Sequence, residues 1–206
     1  MTQLSKRERA RIELRQLILA GAMRVFARDG IADFSIRRVA AEIDYSPGTL
    51  YRYFADKDAL LLAMQQDAFR CKVESLLPVM EIADPIERLL AMGHAYINHG
   101  LDHPDEFRLM FVVLPPMQAL DKQSAGWLAG ETGFQMLQST VALGITQGHF
   151  RPDQDARALA VLLWSTVHGL TTLHLSQRLS MLTETEKTTI QTNVLDQLDH
   201  FLRNCC

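Results

Sequence analysis

The chain has 206 residues, of which 48% are hydrophobic and 22% charged, and its formal net charge of −3 argues against a general polyanion binder. This composition is typical of a globular protein that can bury a core. The charge is uneven, because residues 1–60 carry 11 Lys or Arg against 8 Asp or Glu and the remainder carries 10 against 16. The charge that attracts phosphate therefore lies at the N-terminal end.

The cysteines and the apolar segments indicate a reduced compartment and no membrane partner. Cys71, Cys205 and Cys206 provide neither a disulfide framework nor a C-x-x-C metal spacing. The first ten residues lack the apolar segment of a secretory signal, so we expect a cytoplasmic protein. Residues 158–177 carry no charge and are long enough to cross a bilayer, but Thr, Ser, His and Gln dilute the run. We therefore expect a soluble helix that is buried on nearly all sides.

A first helix is predicted over residues 8–29, with Gly30 at its end. Its apolar stripe consists of Leu14, Leu17, Ile18, Gly21, Ala22, Val25 and Phe26. Basic residues crowd its N-terminal side, namely Lys6, Arg7, Arg9 and Arg11. Residues 1–8 can therefore form a basic arm that adds salt-dependent affinity for nucleic acid, and a solvated tail is the alternative.

Residues 35–57 contain two short helical patterns joined by a tight turn. In the first, Ile36, Val39, Ala40 and Ile43 form the stripe of a helix that lies on a core. Ser35 can cap this helix, and Arg37 and Arg38 point away from the core. Residues 44–46 are too few for anything but a turn.

The second pattern begins at Ser46, which can cap it, and Pro47, which suits the first helical position. Leu50 and Phe54 point inward, whereas Gly48 and Arg52 fall on the opposite side. The flanks carry the remaining polar groups: Thr49 and Tyr51 to either side, and Tyr53 nearer the core edge. The exposed face is thus small, polar and basic.

This face suits a helix in the major groove of DNA. Arg can make a bidentate contact to guanine, Thr can contact a base edge, and Tyr hydroxyls can hold phosphates. Gly48 allows the backbone to approach closely. The alternative is an ordinary solvated helix face, but the whole pattern together favours a helix-turn-helix that reads DNA.

The strings TLYRYF and ADK at residues 49–57, with RRVA at residues 37–40, resemble the TetR family of transcriptional repressors over residues 10–65. The resemblance implies an N-terminal three-helix DNA-binding domain and a larger helical domain that binds an inducer and forms the dimer. It also implies a base contact by Arg37 and a phosphate contact by Lys57. The candidate DNA-binding residues are Arg37, Ser46, Gly48, Thr49, Tyr51, Arg52, Tyr53 and Lys57. Asp44 replaces the usual turn Gly, and because Asp tolerates left-handed conformations we expect the turn to be kept.

The rest of the chain predicts further helices and no strands. A fourth helix follows Asp56, and turn signals separate candidate helices near residues 85–101, 105–113, 123–148, 153–179 and 184–203. We therefore predict an all-α fold of about nine helices. The predicted domains are a helix-turn-helix DNA-binding domain at residues 1–55 and a helical effector-binding and dimerisation domain at residues 56–206.

The last two predicted helices each carry an apolar stripe, which together could form a four-helix bundle with a second copy of the chain. The predicted dimer interface consists of Leu159, Leu163, Val167, Leu170, Val194, Leu198 and Phe201. The alternative is that both stripes pack within the monomer. A homodimer would place two recognition helices on a palindromic double-stranded operator, with half-sites about 34 Å apart.

The effector site is predicted from a second resemblance. Residues 104–111, with Trp164, His168 and Gly169, resemble a branch of the family that has these three residues on the penultimate long helix. The candidate ligand-binding residues are Met92, Tyr96, Phe107, Phe111, Trp127, Trp164 and His168, a mostly apolar set that suits a small-molecule pocket. For each residue, core packing is the alternative.

No residue pattern indicates catalysis, a cofactor or a metal. His94, His99 and His103 invite a metal site, but His103 precedes Pro104 at a helix end and His94 is rotated off the shared face. Nucleophile elbows, phosphate loops and H-E-x-x-H motifs are missing from the sequence, so an enzyme is disfavoured. The main hypothesis is a repressor released by a small apolar ligand. An activator or ligand-independent regulator of the same fold and an enzyme on a helical bundle are the alternatives.

Overall fold

A computed structural model describes residues 5–112 and 125–204 of the chain. Within those residues the fold is all-α, as predicted, with nine α-helices, one 3₁₀ helix and no strand. The α-helices are α1 (Lys6–Asp33), α2 (Ile36–Glu42), α3 (Pro47–Tyr51), α4 (Lys57–Leu76), α5 (Pro85–Asp102), α6 (Pro104–Phe111), α7 (Ala125–Thr146), α8 (Ala156–Leu175) and α9 (Glu184–Asn204). The 3₁₀ helix spans Leu77–Glu81.

The chain divides into two compact units. The first contains Met1–Phe69 and Asp105–Trp127, and the second contains Arg70–Pro104 and Leu128–Cys206. This division falls within α4, whereas the functional boundary after residue 55 stays a prediction.

Helix α1 is longer than the apolar stripe predicted. It begins two residues earlier because Ser5 and Glu8 form a capping box, in which Ser5 Oγ accepts from the Glu8 amide and Glu8 Oε2 accepts from the Ser5 amide. It continues to Asp33, although Gly30 has a φ of 69° that breaks the regular backbone. The basic residues at positions 6–11 therefore lie on a helix, and residues 1–4 of the predicted arm lie outside the described residues.

The core of the first unit is built by the inner faces of α1 to α4. Its fully buried side chains include Ile18, Ala22, Val25, Val39, Ala40, Leu50 and Leu60. Gly21 lies where α1 meets the end of α2, and a Cβ at this position would overlap with Cγ2 of Ile43. The contact between α1 and the helix-turn-helix thus depends on a residue without a side chain.

The second unit packs α5 against α8 and α9. Asp84 caps α5 by accepting from the amides of Ile86 and Glu87, and Pro85 occupies the first turn. Its core cluster consists of Ile86, Leu89, Val141, Phe150, Leu159, Ala160, Leu163 and Leu202. A Cβ on Gly93 would lie 3.1 Å from Cδ2 of Leu195, so α5 and α9 approach closely there.

The α8 part of the predicted dimer interface lies in the core of its own chain. Leu159, Leu163, Val167 and Leu170 are all at most 8% exposed in the single chain, so they present no contact surface to a partner. On α9, Val194, Leu198 and Phe201 remain partly exposed. Helix α8 is apolar on more than one face. The predicted stripe proves to be the face that packs within the chain, and another apolar face is exposed.

The opposite face of α8 is the exposed one. Val161, Leu162 and Leu173 are 44%, 51% and 43% exposed, and Gly169 has open space around it. By length and composition α8 could cross a membrane, yet 33% of that stretch is buried in the single chain. The expectation that this helix is buried on nearly all sides is thus not met within one chain.

Candidate functional site

The turn between α2 and α3 contains one residue with a left-handed backbone. Asp44 adopts a φ of 57°, in the left-handed region that Asp tolerates. The next amide, that of Tyr45, donates to the carbonyl of Ala40 at 2.9 Å and closes the turn. The prediction that Asp44 keeps this turn is confirmed.

Helix α3 is positioned by a cap at its start and by two buried side chains, one within the helix and one just after it. Ser46 Oγ accepts from the Thr49 amide at 3.2 Å, and Pro47 occupies the first turn, as predicted. Leu50 is completely buried and Phe54 is 5% exposed, and both belong to the core of the first unit. This short helix therefore has a fixed inner side and a defined outer side.

The outer side of α3 carries most of the candidate DNA-binding residues. Tyr51 is 51% exposed, and Gly48 and Arg52 are also exposed. The nearest atom to a Cβ built on Gly48 is Ser46 Oγ at 3.9 Å, so packing within the chain does not require glycine there. Thr49 is half-buried, and its Oγ1 lies 3.0 Å from Ser46 Oγ and 3.5 Å from Arg52 Nη2.

The two adjacent arginines of α2 have different surroundings. Arg38 forms an ion pair with Asp29 at 2.9 Å, whereas Arg37 is exposed and makes no ion pair or hydrogen bond within the described residues. The hydrogen bonds from Arg28 and then Arg38 hold the pKa of the Asp29 carboxyl below its usual value. Arg37 is therefore the arginine of this pair that is free to bind a partner.

A second carboxylate holds the other arginines near this surface. Glu42 accepts from Arg24 at 2.8 Å and from Arg28 at 2.9 Å, and these bonds lower the pKa of its carboxyl. Asp29 and Glu42, with Arg28, Arg38 and Ala41, line a surface depression of about 390 Å³. Local sequence patterns cannot distinguish Arg37 from Arg38. The difference arises because the carboxylate that binds Arg38 lies on another helix.

Lys57 is used within the fold. Its Nζ donates to the carbonyl of Ile31 at 2.9 Å and lies 6.0 Å from the centre of the Phe34 ring. The bond satisfies a carbonyl near the end of α1. The predicted phosphate contact would use the two remaining hydrogens of the ammonium.

Four of the candidate ligand-binding residues lie in the second unit, on α5 and α8. Trp164 Nε1 donates to Tyr96 Oη at 3.2 Å, and Tyr96 Oη lies 2.8 Å from His168 Nδ1. Because Trp164 can only donate, the Tyr96 hydroxyl hydrogen is available for His168. Met92 is buried one turn before Tyr96, and its Sδ accepts from Thr140 Oγ1 at 3.9 Å.

The other three candidate ligand-binding residues do not join this group within the second unit. Phe107 and Phe111 belong to the first unit, where their ring centres are 4.9 Å apart and Phe111 stacks edge-on against Phe69 at 5.7 Å. The side chain of Trp127 lies outside the described residues.

Lys72 is a residue of this group that the sequence reasoning missed. Its side chain is 7% exposed, and Nζ lies 3.5 Å from the centre of the Tyr96 ring. Burial lowers the pKa of the Lys72 ammonium to about 7. A signal was present, since Met64, Ala68 and Lys72 are four residues apart and Met64 and Ala68 belong to the apolar stripe of α4.

His99 lies on α5, and His103 follows the last residue of that helix. The rings of His99 and His103 are 4.9 Å apart. Among residues 5–112 and 125–204, no three His, Cys, Asp or Glu side chains are grouped closely enough to hold a metal ion.

A capped α3 whose outer side carries Gly48, Tyr51 and Arg52, behind a left-handed turn and an unpaired Arg37, defines a helix-turn-helix DNA-binding protein. Comparison with known families agrees. Residues 18–64 match the bacterial regulatory proteins of the tetR family, and residues 89–196 match a tetracyclin repressor-like C-terminal domain. The chain therefore belongs to the TetR family, whose members are transcriptional regulators and not enzymes. The branch suggested by Trp164, His168 and Gly169 stays a prediction.

Individual relatives cover different parts of the chain. The HTH-type transcriptional repressor AcnR of Corynebacterium diphtheriae is 40% identical over 57 residues, which are 27% of this chain and 30% of that protein. The chain spans only 18% and 30% of two curated relatives that it matches.

Solved structures match over nearly the full length. A protein of unknown function from Rhodococcus sp. RHA1 superposes with a TM-score of 0.79 at 25% identity, covering 93% of this chain and 96% of that one. The transcriptional regulator FadR of Bacillus subtilis, solved in complex with stearoyl-CoA, gives a TM-score of 0.72 at 16% identity, with 92% and 97% covered. The second likeness shows the fold alone.

Proposed function

We propose that this regulator is a homodimeric, cytoplasmic repressor that binds a palindromic operator and leaves it when a small, largely apolar ligand binds the second unit. The observation that carries the DNA-binding part is the outer face of α3. Gly48, Tyr51 and Arg52 are exposed there on a helix whose inner side is buried in the core. Sequence identity to the repressor AcnR supports the direction of control.

The exposed groups have distinct roles in this proposal. Arg37 and Arg52 offer bidentate donors to guanine or phosphate, and the Tyr51 and Tyr53 hydroxyls suit phosphate oxygens. Thr49 already contacts the hydroxyl of Ser46, so it offers its remaining lone pair and methyl group to a base edge. Gly48 lets the backbone of α3 approach the DNA closely.

The test is binding to DNA that flanks the gene of this protein, measured by fluorescence anisotropy against random DNA at the same salt concentration. We expect at least a hundredfold preference for one flanking site. An Arg37→Ala variant should bind that site about tenfold or more weakly, because a good base contact contributes roughly 1–3 kcal/mol. Equal affinity for flanking and random DNA would contradict the proposal.

Arg38→Ala is the matched control for Arg37→Ala. Both remove one arginine from α2, but Arg38 is held by Asp29. We expect the Arg38 variant to retain most of its site preference. If both variants lose affinity equally, the effect reflects net charge and not a specific contact by Arg37.

The proposed dimer uses the exposed face of α8 in place of the buried stripe. Leu162 and Leu173 are about half exposed, and no charged residue interrupts α8 after Arg157. On α9, the apolar side chains of Val194 and Phe201 are also partly exposed. An uncharged apolar face of this kind is typical of a surface that a second copy covers.

The dimer is tested by light scattering after size-exclusion chromatography. A Leu162→Glu variant should elute as a monomer, because a buried carboxylate at an apolar interface has no partner. Leu77→Glu is the control, since Leu77 is 54% exposed on the 3₁₀ helix. If the Leu162 variant remains dimeric at the same concentration, α8 does not form the interface.

The ligand part of the proposal is supported by the polar group around Tyr96 within a largely apolar unit. An apolar setting with a few oriented polar groups is typical of small-molecule sites. The structure of Bacillus subtilis FadR in complex with stearoyl-CoA, which has a similar fold, supports a ligand with an apolar part. A ligand releases the operator only in proportion to its preference for the conformation with low DNA affinity, so release and binding must be measured separately.

A further inference from the structure

Lys72 places a buried amine where the described residues offer it no hydrogen-bond acceptor. The side chain is 7% exposed, and within the described residues no oxygen or nitrogen accepts from Nζ. Its nearest aromatic neighbour is the Tyr96 ring, whose centre lies 3.5 Å from Nζ. Buried charged groups normally have hydrogen-bonded partners, so this amine calls for an acceptor that the described residues do not supply.

The groups around Lys72 within the second unit do not supply a compensating negative charge. Burial first, and the charge of Lys72 second, lower the pKa of His99 to about 4 and also lower that of His168. Both imidazoles are therefore neutral near pH 7. Tyr96 also stays protonated, because burial raises its pKa. The group thus combines one amine, which can carry a positive charge when an anion binds, with neutral donors and acceptors.

The remaining surroundings are apolar and partly accessible. Met92 is buried one turn before Tyr96, and the Phe134 ring centre lies 6.0 Å from that of Trp164. Trp164 is 37% exposed and His168 is partly exposed, so the group reaches the surface of the unit along α8. Trp164 and His168 are thus the members of the group at which a bound molecule would enter, beside apolar side chains.

We propose that Lys72 binds the carboxylate of a hydrophobic monocarboxylic acid, with the Tyr96, Trp164 and His168 group beside it. One amine balances one negative charge, whereas a phosphate dianion would leave a buried charge without a partner. The apolar neighbours select an acid with an aliphatic or aromatic body. The role of this acid as the effector rests on the proposed function. The binding of the acid to Lys72 is independent of the proposed function.

The test uses the purified full-length protein without DNA and measures binding by isothermal titration calorimetry. The probes are two carboxylates, benzoate and octanoate, and two analogues of octanoate, the neutral octanamide and octyl phosphate. We expect octanoate to bind at least tenfold more tightly than either analogue. Equal binding of octanoate and octanamide, or no binding of octanoate and benzoate at 1 mM, would overturn the proposal, and neither result depends on a variant folding.

Variants then locate the site. Lys72→Met should weaken octanoate binding at least tenfold and abolish the preference for octanoate over octanamide. Lys187→Met is the matched control, because Lys187 lies in the same unit and pairs with Glu184 on its own helix. Tyr96→Phe keeps the ring beneath Nζ and should reduce affinity less than Lys72→Met does. An Lys72→Met variant with wild-type octanoate affinity would place the acid elsewhere.

Operator release is a separate measurement. If octanoate binds through Lys72 but leaves the affinity for operator DNA unchanged, the acid site stands and the release step of the proposed function fails. If the protein shows no specific operator but retains the Lys72-dependent acid site, the regulator proposal fails alone.

Discussion

Replacing Lys72 by Met should make the protein more stable. Met has a similar length but no charge, so it removes a buried amine whose pKa falls from 10.5 in a solvated lysine to about 7. A volume-conserving change of this kind costs little packing energy. The folded-state pKa lies below the unfolded one, so the unfolded chain binds more protons between pH 7 and 10.5. Wild-type stability should therefore rise with pH across this window.

The size of the effect follows from the two pKa values. One pKa unit corresponds to about 1.4 kcal/mol, so the buried amine costs about 4 kcal/mol at pH 7 and about 1.5 kcal/mol at pH 9.5. These figures are upper estimates of the gain on substitution. The neighbours do not obscure it, because the pKa values of His99 and His168 are lowered and that of Tyr96 is raised. None of the three should titrate between these pH values.

The assay is urea unfolding followed by circular dichroism at pH 7 and 9.5, at a fixed protein concentration because association affects apparent stability. We expect the Lys72 variant to exceed wild type by several kcal/mol at pH 7 and by about 2–3 kcal/mol less at pH 9.5. Lys187→Met should change stability by less than about 0.5 kcal/mol. A Lys72 variant less stable than wild type at pH 7, or a difference independent of pH, would refute the reasoning.

Three further predictions concern specific positions. Gly21→Ala should lower the free energy of unfolding by about 1–3 kcal/mol because its Cβ meets Ile43, whereas Gly133→Ala, with its nearest contact at 3.7 Å, should be neutral in the same urea experiment. Gly48→Ala should leave the free energy of unfolding unchanged or raise it by about 0.5 kcal/mol. The same variant should weaken specific DNA binding tenfold or more, as measured by fluorescence anisotropy. Octanoate binding at pH 8 should take up close to one proton in wild type and none in Lys72→Met, as calorimetry in buffers of different ionisation enthalpy would show.

The helix-turn-helix could be predicted from the sequence because its determinants are local. Three of these features depend only on residues a few positions apart in the sequence: the Ser46 cap, the Pro47 position and the left-handed turn at Asp44. The structure confirms all three. The different surroundings of Arg37 and Arg38 could not be predicted in this way. They depend on Asp29, nine residues before Arg38 and on another helix.

The core face of α8 was assigned incompletely for a different reason. Leu162 and Leu163 are neighbours of identical chemistry, but one is 51% exposed and the other 6%. An apolar run with hydrophobic residues on several faces does not state which face meets the core of its own chain. The burial of Lys72 was not predicted, although Lys72 follows Met64 and Ala68 of the apolar stripe at four-residue spacing. A charged side chain at such a position is normally expected to reach solvent.

Two charged residues proposed for function, Arg37 and Lys72, lack an ion pair or hydrogen bond within the chain's described residues, whereas similar residues that stabilise the fold have one. Arg38 and Lys57 are bonded within the first unit, whereas Arg37 has no partner there and Lys72 has none within the described residues. An unpaired buried amine lowers the stability of the isolated chain, and an exposed apolar side chain such as Leu162 can mark a surface that a partner covers. Since selection tolerates such departures where a partner later compensates them, we propose DNA as the partner of Arg37, a second copy of the chain as the partner of Leu162, and an acid as the partner of Lys72.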